Sequence, residues 1–175
     1  MMYSVFRRHR WAVPAQALAL LAAGCGGGDG AQSGVADVNQ AAEAVTAQTK
    51  AATAEVELVA VQATASSAER GDLSAAAAID KNPATRWGSS FSDNQFLVLD
   101  FGKTVAIDRV KIQWEAAYAS SYLLQVSNDQ VTWTTVKAVT SGQGGVEDWS
   151  GLAASGRYLR MQGVKRSGGY GYSIY

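Results

Sequence analysis

Reactive side chains are scarce in this sequence of 175 residues, which has one cysteine and one histidine. A single cysteine rules out a disulfide within the chain and a cysteine-rich zinc site. The formal net charge is zero, from 15 basic and 15 acidic residues. This balance argues against nucleic-acid binding, because proteins that contact phosphates need an excess of Lys and Arg. The length fits one ordinary domain with a tail, or two small domains.

The N-terminus has the layout of an export signal. The single histidine, His9, lies in a basic segment (residues 6–10), and an apolar run follows at residues 11–23. A basic segment before a short apolar run is typical of a secretory signal. The run is too short for a transmembrane helix, which needs about 20 apolar residues. We therefore predict that residues 1–24 are a signal peptide.

The single cysteine, Cys25, follows Leu20-Leu21-Ala22-Ala23-Gly24, a segment that resembles the lipobox of bacterial lipoproteins. The resemblance implies that Cys25 is lipidated and becomes the new N-terminus, anchored to a membrane. Ala22 differs from the pattern, which usually has Leu three residues before the cysteine. Gly26 follows rather than Asp, so the expected location is the outer membrane of the bacterial cell envelope. The alternative is a plain signal peptide with an unmodified cysteine.

Residues 25–56 are expected to link this anchor to the folded part. They begin with a Gly-rich spacer and continue with Ala, Thr, Gln and Glu, without aromatic residues. The apolar positions between residues 35 and 56 approximate a helical spacing. Because Ala and Thr bury little area, we expect a weakly ordered helix or a tether; a coiled-coil partner is the alternative.

Residues 57–175 are predicted to form one all-β domain, because all Trp, Phe and Tyr residues after the signal lie there. Val110, Ile112 and Trp114 alternate with polar residues, which is typical of a half-buried strand. Further strands are expected at residues 95–101, 122–127, 133–136 and 157–164, separated by Gly, Ser, Asn and Asp. Short strands at even spacing indicate an antiparallel sandwich or barrel, and residues 73–79 are the one short helical candidate.

Several segments of this domain, taken in order, resemble a discoidin domain of the coagulation factor V/VIII C-type, most similar to carbohydrate-binding module family 32. The segments are ATASS at 63–67, AIDKNPATRW at 78–87, WEAAYA at 114–119, QVSND at 125–129, GRYLRM at 156–161 and GYGYS at 169–173. The resemblance implies an eight-stranded antiparallel jelly-roll β-sandwich with its binding site in the loops at one end. Relatives continue with a final strand that carries a glutamate, so it also implies that this sequence is a fragment whose last strand is truncated at Tyr175.

Glycan binding is the function that the resemblance implies, and the residues offer suitable chemistry. A sugar is held by charged side chains that bond its hydroxyls and by an aromatic ring that packs on its apolar face. The candidates are Glu69, Arg86, Phe91, Glu115, Tyr170 and Tyr172. In chitosanase-attached relatives, the equivalents of Glu69, Arg86 and Glu115 contact the end of an amino sugar.

Each candidate also has a structural interpretation. Arg86 can be a salt-bridge partner, and Glu69 and Glu115 can be ordinary solvated charges. Tyr170 and Tyr172 are two residues apart, so alternation predicts that they point the same way and pack on the sandwich edge. Phe91 lies in a Ser-rich loop and is harder to explain as a core residue.

A calcium site is expected in the segment from Asp80 to Thr85. A carboxylate, a hydroxyl and turn carbonyls supply the oxygen ligands that Ca²⁺ prefers. The resemblance implies that Asp80 and Thr85 are side-chain ligands and that the glutamate of the final strand completes the site. Because that glutamate is absent here, we expect weak or no binding by this chain; a plain Asx turn is the alternative.

Catalysis by this chain is not expected. Without a histidine or cysteine after the lipidated residue, neither a Ser-His-Asp triad nor a thiol nucleophile is available, and no phosphate-binding Gly-rich loop is present. The expected partner is an oligo- or polysaccharide. The alternatives are a lipid- or protein-binding discoidin adhesion domain, for which Phe91 is the one obvious apolar spike, and the targeting module of a larger glycoside hydrolase.

Overall fold

Short β-strands account for most of the chain that the computed structural model describes, which is residues 4–8 and 55–175. The predicted lipidation site Cys25, the apolar part of the predicted signal and nearly all of the predicted tether lie outside these residues. The strands are β1 Ser4–Arg8, β2 Glu55–Leu58, β3 Gln62–Ala65, β4 Trp87–Gly88, β5 Phe96–Ile107, β6 Arg109–Gln113, β7 Ala119–Ser127, β8 Thr134–Val139, β9 Val146–Trp149, β10 Ala154–Arg166 and β11 Ser173–Ile174.

The strands form an antiparallel β-sandwich, as the sequence predicts. One sheet has the order β2-β1-β6-β9 and the other β3-β5-β10-β7-β8, while β11 and β4 make a small third sheet. The apolar positions of the alternating strands fill the core, because burying them removes apolar surface from water. Its largest fully buried side chains are Trp87, Tyr122, Tyr172, Leu97, Leu99, Ile107, Ile112, Leu124, Leu159, Met161, Ile174 and Val5.

The predicted strands are all present, and most are longer than expected. β5 continues to Ile107 and β10 runs from Ala154 to Arg166. The short helical candidate at 73–79 is confirmed as a 3₁₀ helix at Ala75–Ala78, and a second 3₁₀ helix precedes it at Gly71–Leu73. Within residues 4–8 and 55–175 there is no helix with the length and hydropathy needed to cross a membrane.

Strand β1 was not expected, because the sequence assigns its residues to the basic part of a signal peptide. It pairs antiparallel with β2 on one side and with β6 on the other. Val5 lies opposite Leu58 and Val110 and is 1% exposed. In the unprocessed chain these residues therefore act as an internal strand, and cleavage before Cys25 would remove that strand.

A buried carboxylate in β9, that of Glu147, accepts hydrogen bonds from other parts of the sandwich. The Oε2 atom of Glu147 accepts hydrogen bonds from the Trp114 indole at 2.9 Å and from the Tyr122 hydroxyl at 2.6 Å. Its other oxygen accepts a bond from the backbone N–H of Gln143, and the Trp149 indole donates to the Tyr122 hydroxyl. These bonds satisfy a carboxylate that would be costly to bury without partners.

Candidate functional site

A pocket of about 360 Å³ lies among the loops around the small β4–β11 sheet. Its lining combines two acidic residues, one basic residue, aromatic residues and small residues. The lining residues are Glu69, Arg86, Gly88, Ser89, Phe91, Glu115, Ala116, Ala117, Tyr170, Gly171, Tyr172 and Ser173. All six sequence-predicted ligand-binding residues are therefore brought together at one pocket.

Backbone hydrogen bonds hold the loops that carry the two acids. The N–H of Glu69 donates to the carbonyl of Gly88 at 2.7 Å, which fixes the loop after β3 against β4. The N–H of Glu115 donates to the carbonyl of Ser173 at 2.9 Å, which fixes the end of β6 against β11. The segments that carry the two acids are thus fixed to neighbouring strands by hydrogen bonds.

Arg86 is available to bind a ligand. Its Nε donates to the Ser173 hydroxyl at 2.8 Å, and no carboxylate within residues 4–8 and 55–175 forms an ion pair with it. Arg86 therefore has no salt-bridge partner in the described chain. The terminal guanidinium nitrogens offer donors in a planar fork, which suits recognition of vicinal hydroxyls.

The two acids differ in surroundings. Glu69 is exposed, and its carboxylate accepts no hydrogen bond from any residue of the described chain. Glu115 is half-buried, and its Oε2 accepts a bond from the N–H of Ala117 at 3.1 Å. The pocket lining contains two carboxylates and one guanidinium, a formal net charge of −1, so it favours neutral or cationic groups.

Two of the three predicted aromatic residues are exposed beside the pocket. Phe91 is 51% exposed and Tyr170 is 70% exposed. Their ring centroids are 5.8 Å apart with an interplanar angle of 89°, an edge-to-face arrangement that is favourable for aromatic pairs. They form an apolar rim against which a sugar ring can pack.

Tyr172 also lines the pocket, but its side chain is buried, and the prediction that Tyr170 and Tyr172 point the same way is wrong. Tyr172 is 1% exposed and belongs to the hydrophobic core. The alternation rule does not apply because both residues precede β11 and lie outside any strand. Between them, Gly171 packs so tightly on Ser89 that an added Cβ would lie 2.4 Å from the Ser89 carbonyl oxygen.

The predicted calcium ligands, Asp80 and Thr85, form hydrogen bonds within their own loop. The Asp80 carboxylate accepts bonds from the N–H of Asn82 at 2.8 Å and from the Thr85 hydroxyl at 2.7 Å. Among the described residues, no group of three or more His, Cys, Asp or Glu side chains is placed to hold a metal ion. The weak or absent calcium binding expected for this chain stays a prediction, which melting curves with calcium and with a chelator would test.

The residues that connect the site's loops were not predicted from the sequence. The Ser89 hydroxyl accepts a bond from the N–H of Tyr172 at 2.8 Å, and the N–H of Ser89 donates to the Tyr172 carbonyl at 2.8 Å. Asp93 and Arg166 form an ion pair at 3.0 Å that joins the loop carrying Phe91 to the end of β10. Nothing in the spacing of these residues marks them, since their partners are distant in sequence.

The F5/8 type C domain family matches residues 62–175, the part of the chain that forms the sandwich from β3 onward and the pocket. The chain belongs to the F5/8 type C, or discoidin, family. A search of the curated proteins gave no match.

Solved structures of chitosan-binding modules are similar to this discoidin domain. The crystal structure of chitosan-binding module 1 from a chitosanase/glucanase of Paenibacillus sp. IK-5 is 42% identical, with a TM-score of 0.64, over 67% of this chain and 92% of that one. Module 2 of the same enzyme, in complex with chitotriose, is 36% identical, with a TM-score of 0.64, over 67% and 93%.

A family 32 carbohydrate-binding module is also similar to this discoidin domain. The module of AlyQ, in complex with 4,5-unsaturated mannuronic acid, is 27% identical, with a TM-score of 0.57, over 66% of this chain and 90% of that one. These relatives are carbohydrate-binding modules, and some of them are parts of enzymes.

Proposed function

We propose that this discoidin domain is a non-catalytic module that binds a glycan in the pocket lined by Glu69, Arg86 and Glu115. The observation that carries the proposal is the convergence of these three charged side chains beside the exposed Phe91–Tyr170 rim. Charged groups that bond hydroxyls next to an aromatic surface are what recognition of a sugar ring requires. The relatives that bind chitotriose and unsaturated mannuronic acid support it.

An amino sugar is the ligand class that the charges favour. The lining side chains carry a net charge of −1, and an ammonium group can pair with Glu69 or Glu115 while Arg86 bonds hydroxyls. Chitosan-binding modules 1 and 2 of the Paenibacillus enzyme, which are 42% and 36% identical to this chain, fit this choice. A pocket for about one ring, with few hydrogen bonds, gives a Kd on the order of millimolar to tens of micromolar.

Site variants test the proposal. We expect Arg86→Ala and Glu115→Ala each to abolish retention on a chitosan column, because each removes a side chain that would contact the sugar. The melting temperature should stay unchanged, since neither side chain belongs to the core. Lys103→Ala, which removes an exposed cation that does not line the pocket, should bind like the unmodified protein. Retained binding in both site variants would refute this site.

We also propose that the module is exported and anchored to the bacterial cell envelope through lipidated Cys25. The basic and apolar segments before Cys25 and the lipobox-like residues support this. Cys25→Ser should abolish incorporation of labelled palmitate and recovery in the membrane fraction. Unchanged membrane association of that variant would contradict the anchor.

A further inference from the structure

The aromatic rim of the pocket is carried by two separate loops. Phe91 lies in the loop between β4 and β5, and Tyr170 lies in the loop between β10 and β11. The second loop contains Gly168 and Gly169, and a side chain at either position would meet nothing within 4 Å. Consecutive glycines in open space have wide conformational freedom, so the position of Tyr170 has to be fixed by contacts from elsewhere.

One side chain contacts both loops. Arg166, the last residue of β10, donates from its Nη1 to the carbonyl oxygens of Gly169 at 2.9 Å and Tyr170 at 3.2 Å. Its Nε and its backbone N–H both donate to Asp93 Oδ1, at 3.0 and 3.1 Å. Asp93 is two residues after Phe91, so a single guanidinium joins the two halves of the rim.

The bridge is itself well supported. The Arg166 carbonyl accepts a bond from the Ser120 hydroxyl at 3.0 Å, and the Arg166 side chain is 23% exposed. The Arg166 hydrogen bonds hold the pKa of Asp93 below its ordinary value, so the carboxylate is charged at neutral pH. Neither residue lines the pocket, which separates their role from that of Arg86 and the two glutamates.

We infer that Arg166 and Asp93 are positioning residues that hold Phe91 and Tyr170 in place as a preformed rim for the sugar ring. This inference rests on the proposed glycan-binding function. Preorganisation improves affinity because the ordering of the loop is complete before the ligand arrives. The bridge should therefore act on binding through Tyr170 and not through the stability of the sandwich.

A double-mutant cycle on glycan affinity tests this. We expect Arg166→Ala to weaken binding of chitotriose about tenfold, and Tyr170→Ala to weaken it at least as much. The double variant should bind no more weakly than Tyr170→Ala alone, because the bridge has no further use once the ring is absent. Arg166→Lys keeps the attraction to Asp93 but loses the forked contacts, so it should show an intermediate Kd.

Arg157→Ala is the matched control. Arg157 bonds Asp100 through two guanidinium nitrogens, both at 2.9 Å, and neither residue lines the pocket. Its removal should leave the Kd unchanged. Amide hydrogen exchange should be faster at residues 168–170 in Arg166→Ala than in the unmodified protein, while Leu159 in the core stays protected.

The outcomes separate the inference from the proposed function. If the unmodified protein fails to bind any glycan, the proposed function and the inference that rests on it both fail. If the unmodified protein binds and Arg166→Ala binds equally well, only the positioning role is overturned. The same holds if the loss of affinity in the double variant equals the product of the losses in Arg166→Ala and Tyr170→Ala. Should Arg166→Ala not fold, Asp93→Asn replaces it, because Asp93 is 48% exposed and its loss leaves the core intact; an unchanged Kd in that variant would overturn the inference.

Discussion

The hydroxyl of Tyr172 is buried in the core and has no hydrogen-bond partner within the described residues. Its ring fills space that a glycine leaves open, because a Cβ on Gly163 would lie 2.2 Å from the Tyr172 ring. Burial of the phenol disfavours its charged form, which raises the pKa of Tyr172 to about 12. The residue therefore contributes packing at the cost of one unpaired polar group.

Tyr172→Phe is expected to raise the free energy of unfolding at pH 7 by about 1 kcal/mol, since it removes the unpaired hydroxyl and keeps the ring. The folded protein keeps the phenol neutral up to about pH 12, whereas the unfolded chain ionises it from an ordinary pKa of 10.0. This titration therefore leaves the free energy of unfolding unchanged below pH 10 and lowers it as the pH rises from 10 through 12.

Denaturant titrations from pH 7 to 12 would measure both effects. Tyr172→Phe should lose less stability between pH 10 and 12 than the unmodified protein does. Tyr170→Phe is the control at pH 7, because Tyr170 is 70% exposed and loss of its hydroxyl should change the free energy of unfolding by no more than about 0.5 kcal/mol. A lower stability of Tyr172→Phe at pH 7 would contradict this account of the buried hydroxyl.

At the level of single residues, the sequence predicts which side chains can bind a sugar better than it predicts where residues lie in the fold. Arg86, Glu69 and Glu115 were identified because sugar recognition needs their side chains, and they do line one pocket. The burial of Tyr172 and the network around Glu147 were not predicted. Both depend on contacts between residues far apart in the chain, such as Glu147 with Trp114, and local alternation carries no information about them.

At the level of elements, β1 is the strand that the sequence does not predict. It lies between β2 and β6, and without it these two strands would lose their shared partner. Unpaired strand edges expose backbone donors and acceptors and invite pairing with other chains. The signal-peptide prediction and the internal position of β1 cannot both describe the mature molecule, so the unprocessed and processed chains are expected to differ in stability.

Val5→Asp tests the contribution of β1. A carboxylate at a position that is 1% exposed should cost about 3 kcal/mol of unfolding free energy in the full chain, because the charge replaces a buried apolar group. Val131→Asp is the matched control, since Val131 is 82% exposed and should change stability by no more than about 0.5 kcal/mol. Equal unfolding midpoints for Val5→Asp and the unmodified chain would show that β1 is not part of the folded sandwich.

Strand existence was predictable here, whereas strand length was not. The alternation of Val110, Ile112 and Trp114 correctly places β6, because one face of that strand packs on the core. The extension of β5 to Ile107 crosses Gly102, where the sequence predicts the end of the strand. Pairing with β10 continues on both sides of a register shift near Gly156, so tertiary contacts override the local signal.

At the level of the whole molecule, the sandwich is a scaffold whose connecting loops carry the pocket. The two main sheets bury an apolar core, while the loops around β4 and β11 bring together residues that are more than 100 positions apart in sequence, such as Glu69 and Tyr170. The fold class was predictable from alternation and from the discoidin-like segments. The detailed shape of the pocket was not, since it depends on close loop packing such as that of Gly171 on Ser89.

Calorimetric titration of the purified chain with chitotriose is the decisive test of glycan binding at this pocket. Saturable binding to one site is expected, with a Kd between about a millimolar and tens of micromolar. The fully N-acetylated trisaccharide should bind more weakly, because it lacks the ammonium groups that Glu69 and Glu115 would pair with. The absence of heat from any glycan at millimolar concentration, with the protein shown to be folded, would contradict it.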